Sequence, residues 1–407
     1  MDDRKQGSPR RIDDSEAPRD QLPEELLSSI CEAIGTYSPT YHEDPALALF
    51  ERTAGDLGLE TQRDYVDATR YNLVIRASYR APEVVLVGHI DTIAATDTHQ
   101  PQAVIDNGKL YGLGAVDMKA TCALMLYALK LETDGGPAAE IHLVVGEEEY
   151  GDGAAVSATR LNERCRAAQS ASTAEEHEGP LVVVGEPSAL RPCTEHFSYY
   201  EAHLSTRGVR VHAGLPELGA NAVVAMLDRI SEITATVASR SDMVCNPRMI
   251  HGGSEEFLVP HICEAQIDIH THPSVRISDI ESLLTPAPRR TFASPDTPEA
   301  QQSRHAVDFT FRRAFYSEGY TLDRNDPRLQ PLRAALEQSG RPWNPGAFRS
   351  HSDAPIYRSC GFPTVICGPG HLETAHTVDE HIALADLSAG LAVYRALIRR
   401  TCREYCS

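Results

Sequence analysis

Four short apolar runs, each closed by glycine, set the rhythm of the chain. Residues 84–87 lead into Gly88-His89-Ile90-Asp91, and residues 141–145 into Gly146-Glu147-Glu148-Glu149. Residues 181–184 lead into Gly185-Glu186-Pro187, and residues 362–367 into Gly368-Pro369-Gly370. Runs of this length, rich in β-branched residues, predict strands buried on both faces. An apolar segment of helical length, residues 118–132, lies between the first two, and strands alternating with helices predict an α/β layered sheet. Ligand sites in open α/β sheets collect at the carboxyl ends of strands, which is where His89, Asp91, Glu147–149 and Glu186 fall.

The pattern changes near residue 196. Tyr200, Ala202 and Leu204 alternate with Glu201, His203 and Ser205, and Cys263, Ala265, Ile267 and Ile269 alternate with Glu264, Gln266, Asp268 and His270. Both stretches predict strands with one buried face, as in antiparallel sheets. Between them Val223, Met226, Leu227, Ile230 and Ile233 recur at helical spacing. The organisation expected is a leader over 1–22, a first domain over 23–195 and 319–407, and a smaller α+β module over 196–318 inserted into it. Residues 167–179 and 286–304 read as surface loops, and residues 386–406 as an amphipathic helix.

Composition narrows the function. The 407-residue chain carries 38 Lys and Arg against 58 Asp and Glu, a net charge of −20. That balance argues against nucleic-acid binding, since no basic surplus exists to displace counterions from phosphates. No apolar stretch is long enough to span a membrane. The first twenty residues lack the apolar core of a secretory signal and read as disordered. Ten cysteines are too few for a disulfide framework, and several sit in apolar runs, so reduced thiols in the cytoplasm are expected. The pair Cys402 and Cys406 lacks the nearby partners of a zinc site.

The polar residues at the strand ends carry the chemistry. Asp91, two residues after His89, is placed to orient a ligating imidazole. Asp117 precedes a helix, where it could cap the helix or bridge two metals. Three consecutive acids, Glu147, Glu148 and Glu149, repel one another unless cations neutralise them. With Glu186 and with His376 in Ala375-His376-Thr377-Val378-Asp379-Glu380, they supply enough imidazole and carboxylate for two divalent ions sharing a bridge.

The ordered set H-x-D, G-x-x-D-M-K, E-E-E-x-G, G-E-P and A-H-T-x-D-E resembles the M20 family of zinc peptidases and deacylases. The acetylornithine deacetylase and succinyl-diaminopimelate desuccinylase branch is the nearest in motif. The resemblance implies a zinc-peptidase-like α/β catalytic domain with a mixed sheet, plus an inserted lid and dimerisation domain. It implies that His89 and Glu186 hold one zinc and Glu149 and His376 the other, with Asp117 bridging; Co or Mn are alternative ions. Glu148 then matches the general base, and His212 the lid histidine that donates to the tetrahedral oxyanion, in some relatives across a dimer. The family usually carries a carboxylate-gripping Arg where His270 stands, so Arg349 is a candidate replacement; Asn246 and Gly370 complete the expected substrate contacts. The activity implied is hydrolysis of a small N-acylated amino acid or amine. A dipeptidase or carboxypeptidase acting on short peptides is the alternative, and an aminopeptidase of the M28 type or a non-catalytic relative fits less well. The lid's resemblance favours a homodimer.

Overall fold

The computed structural model describes residues 22–95, 102–170, 179–286 and 307–402. The expected leader, except Leu22, lies outside the described residues, as do nearly all of the loop expected over 286–304 and Cys406.

The mixed α/β architecture is built on a nine-stranded sheet. Its order is β1 (Glu60–Tyr65), β2 (Tyr71–Arg76), β6 (Ala139–Val144), β3 (Val84–His89), β7 (Leu181–Pro187), β15 (Thr364–Gly368), β8 (Cys193–His196) and β13 (Tyr320–Thr321), with β14 (Gly346–Phe348) also pairing β8. The central strands β6, β3, β7 and β15 run parallel. These are the four runs that the apolar pattern marks. Each is buried at every position, which requires cover on both faces. The helix Lys119–Lys130 packs with the helices Glu24–Gly35 and Leu384–Arg399, while the helix Asp152–Ser170 packs with Ala354–Ser359. Because four neighbouring strands point the same way, their carboxyl ends deliver side chains to one edge of the sheet.

A second sheet, all antiparallel, has the order β10 (Met243–Gly252), β11 (Ile262–Thr271), β9 (Ser198–Arg207) and β12 (Asp308–Ser317). It has its own core, in which Tyr200, Leu204, Ile267 and Ile269 meet Met226, Ile233 and Val237 of the helix Ala222–Ala238. A small ribbon of β4 (Val104–Asp106), β5 (Lys109–Tyr111) and β16 (His381–Ala383) completes the fold.

Three local expectations need correction. The helix Asp152–Ser170 runs into the loop expected from residue 167, because Ala167, Ala168 and Gln169 are good helix formers. The last helix is Leu384–Arg399 and gives way to a turn at Thr401 and Cys402. Leu227 is exposed rather than buried, since one residue after Met226 the helix has turned by about 100°.

Candidate active site

Glycine lets the helix Lys119–Lys130 press against the strand ends. A Cβ at Gly88 would lie 2.6 Å from Cys122 Sγ, and one at Gly185 would strike Met125 Cε. The residues that follow these glycines, His89 and Glu186, therefore emerge where the helix begins, beside Asp117. The helix is capped by Met118 with no side-chain cap bond, so Asp117 does not serve as its cap. Its loop is held instead by Glu380, whose Oε1 accepts from the amides of Gly114, Val116 and Asp117 at 3.0, 3.1 and 3.3 Å.

Asp117 joins two groups of potential metal ligands. His89, Asp117 and Glu186 form one, and Asp117, Glu148 and His376 the other, each with donor atoms within 4.8 Å of one another. His89 Nε2 lies 2.9 Å from Asp117 Oδ1 and 3.6 Å from Glu186 Oε1. His376 Nε2 lies 3.4 Å from Asp117 Oδ2 and 3.1 Å from Glu148 Oε1. The aspartate thus presents one oxygen to each group. His376 occupies the left-handed region at φ 58, a conformation that costs a non-glycine residue and is met mainly where surrounding structure enforces it.

The acidic run enters in a different register from the one expected. Glu148, not Glu149, stands beside Asp117 and His376, while Glu147 joins His89. Glu147 Oε2 is 3.8 Å from His89 Nε2, and its Oε1 lies 3.2 Å from His351 Nδ1. Glu149 is exposed on the cleft wall. Asp91 sets this register: its carboxylate accepts from the backbone amides of Glu147 and Glu148 at 3.3 and 3.1 Å and from Thr40 Oγ1 at 2.8 Å. The ring of His89 is oriented through Nδ1 by the Asp91 carbonyl oxygen, 2.9 Å away, rather than by the carboxylate at 3.7 Å.

Electrostatics describe a cluster built for cations. Burial, then the charge of Asp117, pushes the Glu186 carboxyl well above its ordinary range. Burial lifts Glu148 to about 7, although the hydrogen bond to His376 opposes it. Burial also favours neutral imidazole at His376, but its bond to Glu148 and the surrounding carboxylates raise it to about 9. For Glu147 burial acts upward, and the His351 bond and the nearby imidazoles overcome it, bringing the carboxyl to about 2. Glu186 Oε1 is buried with no hydrogen-bond partner among the described residues, a costly state for a carboxylate oxygen that a metal ion relieves. The donor set of imidazole and carboxylate fits zinc, and also Co or Mn.

These groups open onto a cleft of about 580 Å³ whose other wall comes from the second sheet: Tyr199, Glu201, Arg248, Gln266, Asp268 and His270. The polar face of β9 and β11 is turned toward the cleft, which is why Glu201 and Asp268 are buried. Tyr199 donates toward both, at 3.3 and 3.1 Å. Arg248 reaches Glu201 Oε2 at 3.0 Å and Asp268 Oδ2 at 3.4 Å, with half its side chain exposed.

His270 does line the cleft, but burial, then the charges of His351 and Arg349, lower it to about 4. It is therefore neutral near pH 7. The remaining expected contacts lie elsewhere. Arg349 is exposed and its guanidinium covers the Phe197 ring at 5.4 Å. Asn246 is exposed on β10, an edge strand, and Gly370 is buried with its carbonyl accepting from Ala189 N. His212 is exposed beside its bridge to Leu258 and does not line the cleft. Residues missed by sequence reasoning include Glu147 as a partner of His89, His351, Arg248, Glu201 and Asp268. Only His351, in Ser350-His351-Ser352-Asp353, carried a motif that could have drawn attention.

Comparison with known proteins identifies the family. Residues 85–400 match the model of peptidase family M20/M25/M40. The acetylornithine deacetylases of Erwinia tasmaniensis and Edwardsiella ictaluri are 27% and 25% identical to the chain, covering 86% of it and 88% of each relative. Among solved structures, a tripeptidase from Staphylococcus aureus superposes with a TM-score of 0.72 at 19% identity, covering 93% of this chain and 98% of that one. Human carnosine dipeptidase 1 superposes with a TM-score of 0.67 at 11% identity, covering 93% and 97%. With a matched region spanning most of its length, the chain belongs to the M20/M25/M40 peptidase family and is a hydrolase of amide bonds.

Proposed function

We propose that the protein is a di-zinc amidohydrolase that removes the acyl group from a small N-acylated amino acid. The observation that carries this reading is the placement of Asp117 with one oxygen toward each of two His and Glu groups. His89, Asp117 and Glu186 would hold one ion and Asp117, Glu148 and His376 the other. When bound, such a pair acidifies water and polarises the acyl carbonyl.

Glu147 is the general base in this reading. Its Oε2 faces the His89 side of the cluster while His351 holds its Oε1, so it can take a proton from the attacking water and return it to the departing nitrogen. Asp91 positions Glu147 and Glu148 through their amides. Arg248, half exposed in the cleft, takes over the substrate carboxylate that neutral His270 cannot grip, because a guanidinium supplies permanent charge and paired donors. The second sheet then acts as a lid over the metals.

The deacylase reading draws on the acetylornithine deacetylases that the chain resembles. A dipeptidase or carboxypeptidase remains the second reading, since Arg248 could equally receive a peptide's terminal carboxylate. Initial rates with N-acetyl and N-succinyl amino acids against dipeptides, in zinc-loaded protein, separate the two. Turnover confined to dipeptides would sink the first reading.

A homodimer through the lid is supported by Leu215, Leu218, Val224 and Leu227, which are all about half exposed there, and by the position of His212 outside its own cleft. His212 then serves the partner's oxyanion. The nine described cysteines are free thiols, which suits a cytoplasmic enzyme.

A further inference from the structure

A second cavity, of about 820 Å³, lies where β3 and β7 begin, at the edge of the sheet opposite the metal cluster. Its walls mix apolar surface, including Tyr79, Leu161, Pro180 and Pro331, with five arginines: Arg76, Arg80, Arg164, Arg328 and Arg400. Among the described residues two carboxylates, Glu83 and Glu140, line it with them. A basic cavity of this kind is unexpected in a chain of net charge −20.

The pairing is incomplete in a specific way. Arg80 contacts Glu83 at 3.2 Å, and Arg328 is held by Asp326. Arg76 and Arg164 share the single carboxylate of Glu140, at 3.8 and 2.6 Å. Arg400 is bound by neutral oxygens, the Ala334 carbonyl at 3.1 Å and Gln338 Oε1 at 2.9 Å. The buried Nε atoms of Arg76, Arg164 and Arg400 have no hydrogen-bond partner among the described residues. An unmatched donor on a buried charged group is costly, and the three guanidinium side chains that carry these atoms line one cavity with an apolar wall.

We propose that this cavity binds a small polyanion attached to an apolar body, the chemistry shared by nucleoside phosphates and apolar polycarboxylates. Guanidinium groups match phosphate and carboxylate oxygens geometrically, the apolar wall takes the body of the ligand, and the size suits one small molecule. The site is separate from the metal cluster, so it stands independently of the amidohydrolase reading.

Isothermal titration calorimetry on the zinc-loaded full chain tests it, with adenosine monophosphate, pyrophosphate, citrate and, as uncharged control, adenosine. Adenosine monophosphate should bind saturably at one site, about tenfold or more tighter than adenosine, and more weakly as salt rises. Arg400→Gln and, independently, Arg164→Gln should each weaken it about tenfold while amide hydrolysis is unchanged. Pyrophosphate binding ahead of citrate assigns the phosphate class, and the reverse order assigns the carboxylate class. The proposal is overturned if none of the three anions binds at millimolar concentration. It is equally overturned if binding survives both substitutions unaltered, since the anion then sits elsewhere, as on the zinc ions.

Discussion

Three consecutive glutamates invite a comparison in which chemistry is nearly constant and only position differs. Glu147→Gln, Glu148→Gln and Glu149→Gln each remove one negative charge and little volume. In the structure Glu148 Oε1 lies 3.1 Å from His376 Nε2, so its amide replacement removes an anionic donor from one ligand group. That group should lose about tenfold to a hundredfold or more in metal affinity, because even indirect supports of a ligand matter on this scale. Glu147→Gln keeps the two groups that share Asp117, although Glu147 also stands with His89 and Glu148 in a third set of donor atoms, and it cannot accept a proton. Turnover should fall by about 10²–10⁴, equivalent to about 3–5 kcal/mol of barrier. Glu149 is exposed outside both ligand groups, and Glu149→Gln should stay within about twofold, the range of neutral surface changes. Bound zinc after dialysis, by inductively coupled plasma mass spectrometry, separates ligand from base, and kcat on an N-acetyl amino acid supplies the rates. If Glu149→Gln loses one equivalent of metal while Glu148→Gln retains both, the register deduced from Asp91 is wrong.

Other outcomes are expected from the same structure. Chelation should abolish turnover, and zinc at about a hundred times its dissociation constant should restore it and stabilise the fold by about 3 kcal/mol; an activity indifferent to chelator would remove the metals from the mechanism. Arg248→Ala should raise KM for carboxylate-bearing substrates about tenfold with kcat little changed, whereas Arg349→Ala should alter neither; the opposite pattern would return carboxylate recognition to Arg349. Gly368→Ala should destabilise by about 3 kcal/mol, because its Cβ would press on the Gly185 carbonyl oxygen, an atom of the neighbouring strand; an unchanged urea midpoint would contradict that packing. His196 is buried with Nδ1 at 2.6 Å from the Phe197 carbonyl and Nε2 at 2.8 Å from Ser352 Oγ, and burial lowers it to about 3 from the ordinary 6.5. Above pH 6.5 neither state protonates this ring and its contribution is whole. As pH falls toward 3, the unfolded chain takes up a proton that the folded one refuses, and stability is lost by about 2 kcal/mol near pH 5. His196→Gln should flatten that slope in urea titrations; an equally steep variant would assign the acid sensitivity to other groups.

How far the sequence reached depends on how local each signal is. The four buried strands were legible because an unbroken apolar run bounded by glycine leaves few alternatives to a covered parallel strand. Their parallel direction then brings His89, the acidic run and Glu186 to one edge without further instruction. The alternation in β9 and β11 likewise revealed one buried face, but not that the opposite face looks into a cleft rather than at water. Arg248 left no trace, since the ladder of β10 shifts register between Pro247 and Met249 and breaks the period on which a face assignment relies.

The acidic run marks the boundary between the two kinds of information. Sequence alone determined that the polymer places three carboxylates directly after a buried strand, because charge there needs neutralising wherever the chain goes next. Tertiary structure decided which of them enters. Gly146 turns the backbone at φ 77, so strand alternation no longer dictates side-chain direction. Asp91, from a neighbouring strand end and 56 residues away from Glu147, captures two amides and sets the register. Hydrogen bonds between segments so distant along the chain select one orientation from several that are locally equivalent, and no periodicity within either segment records that choice.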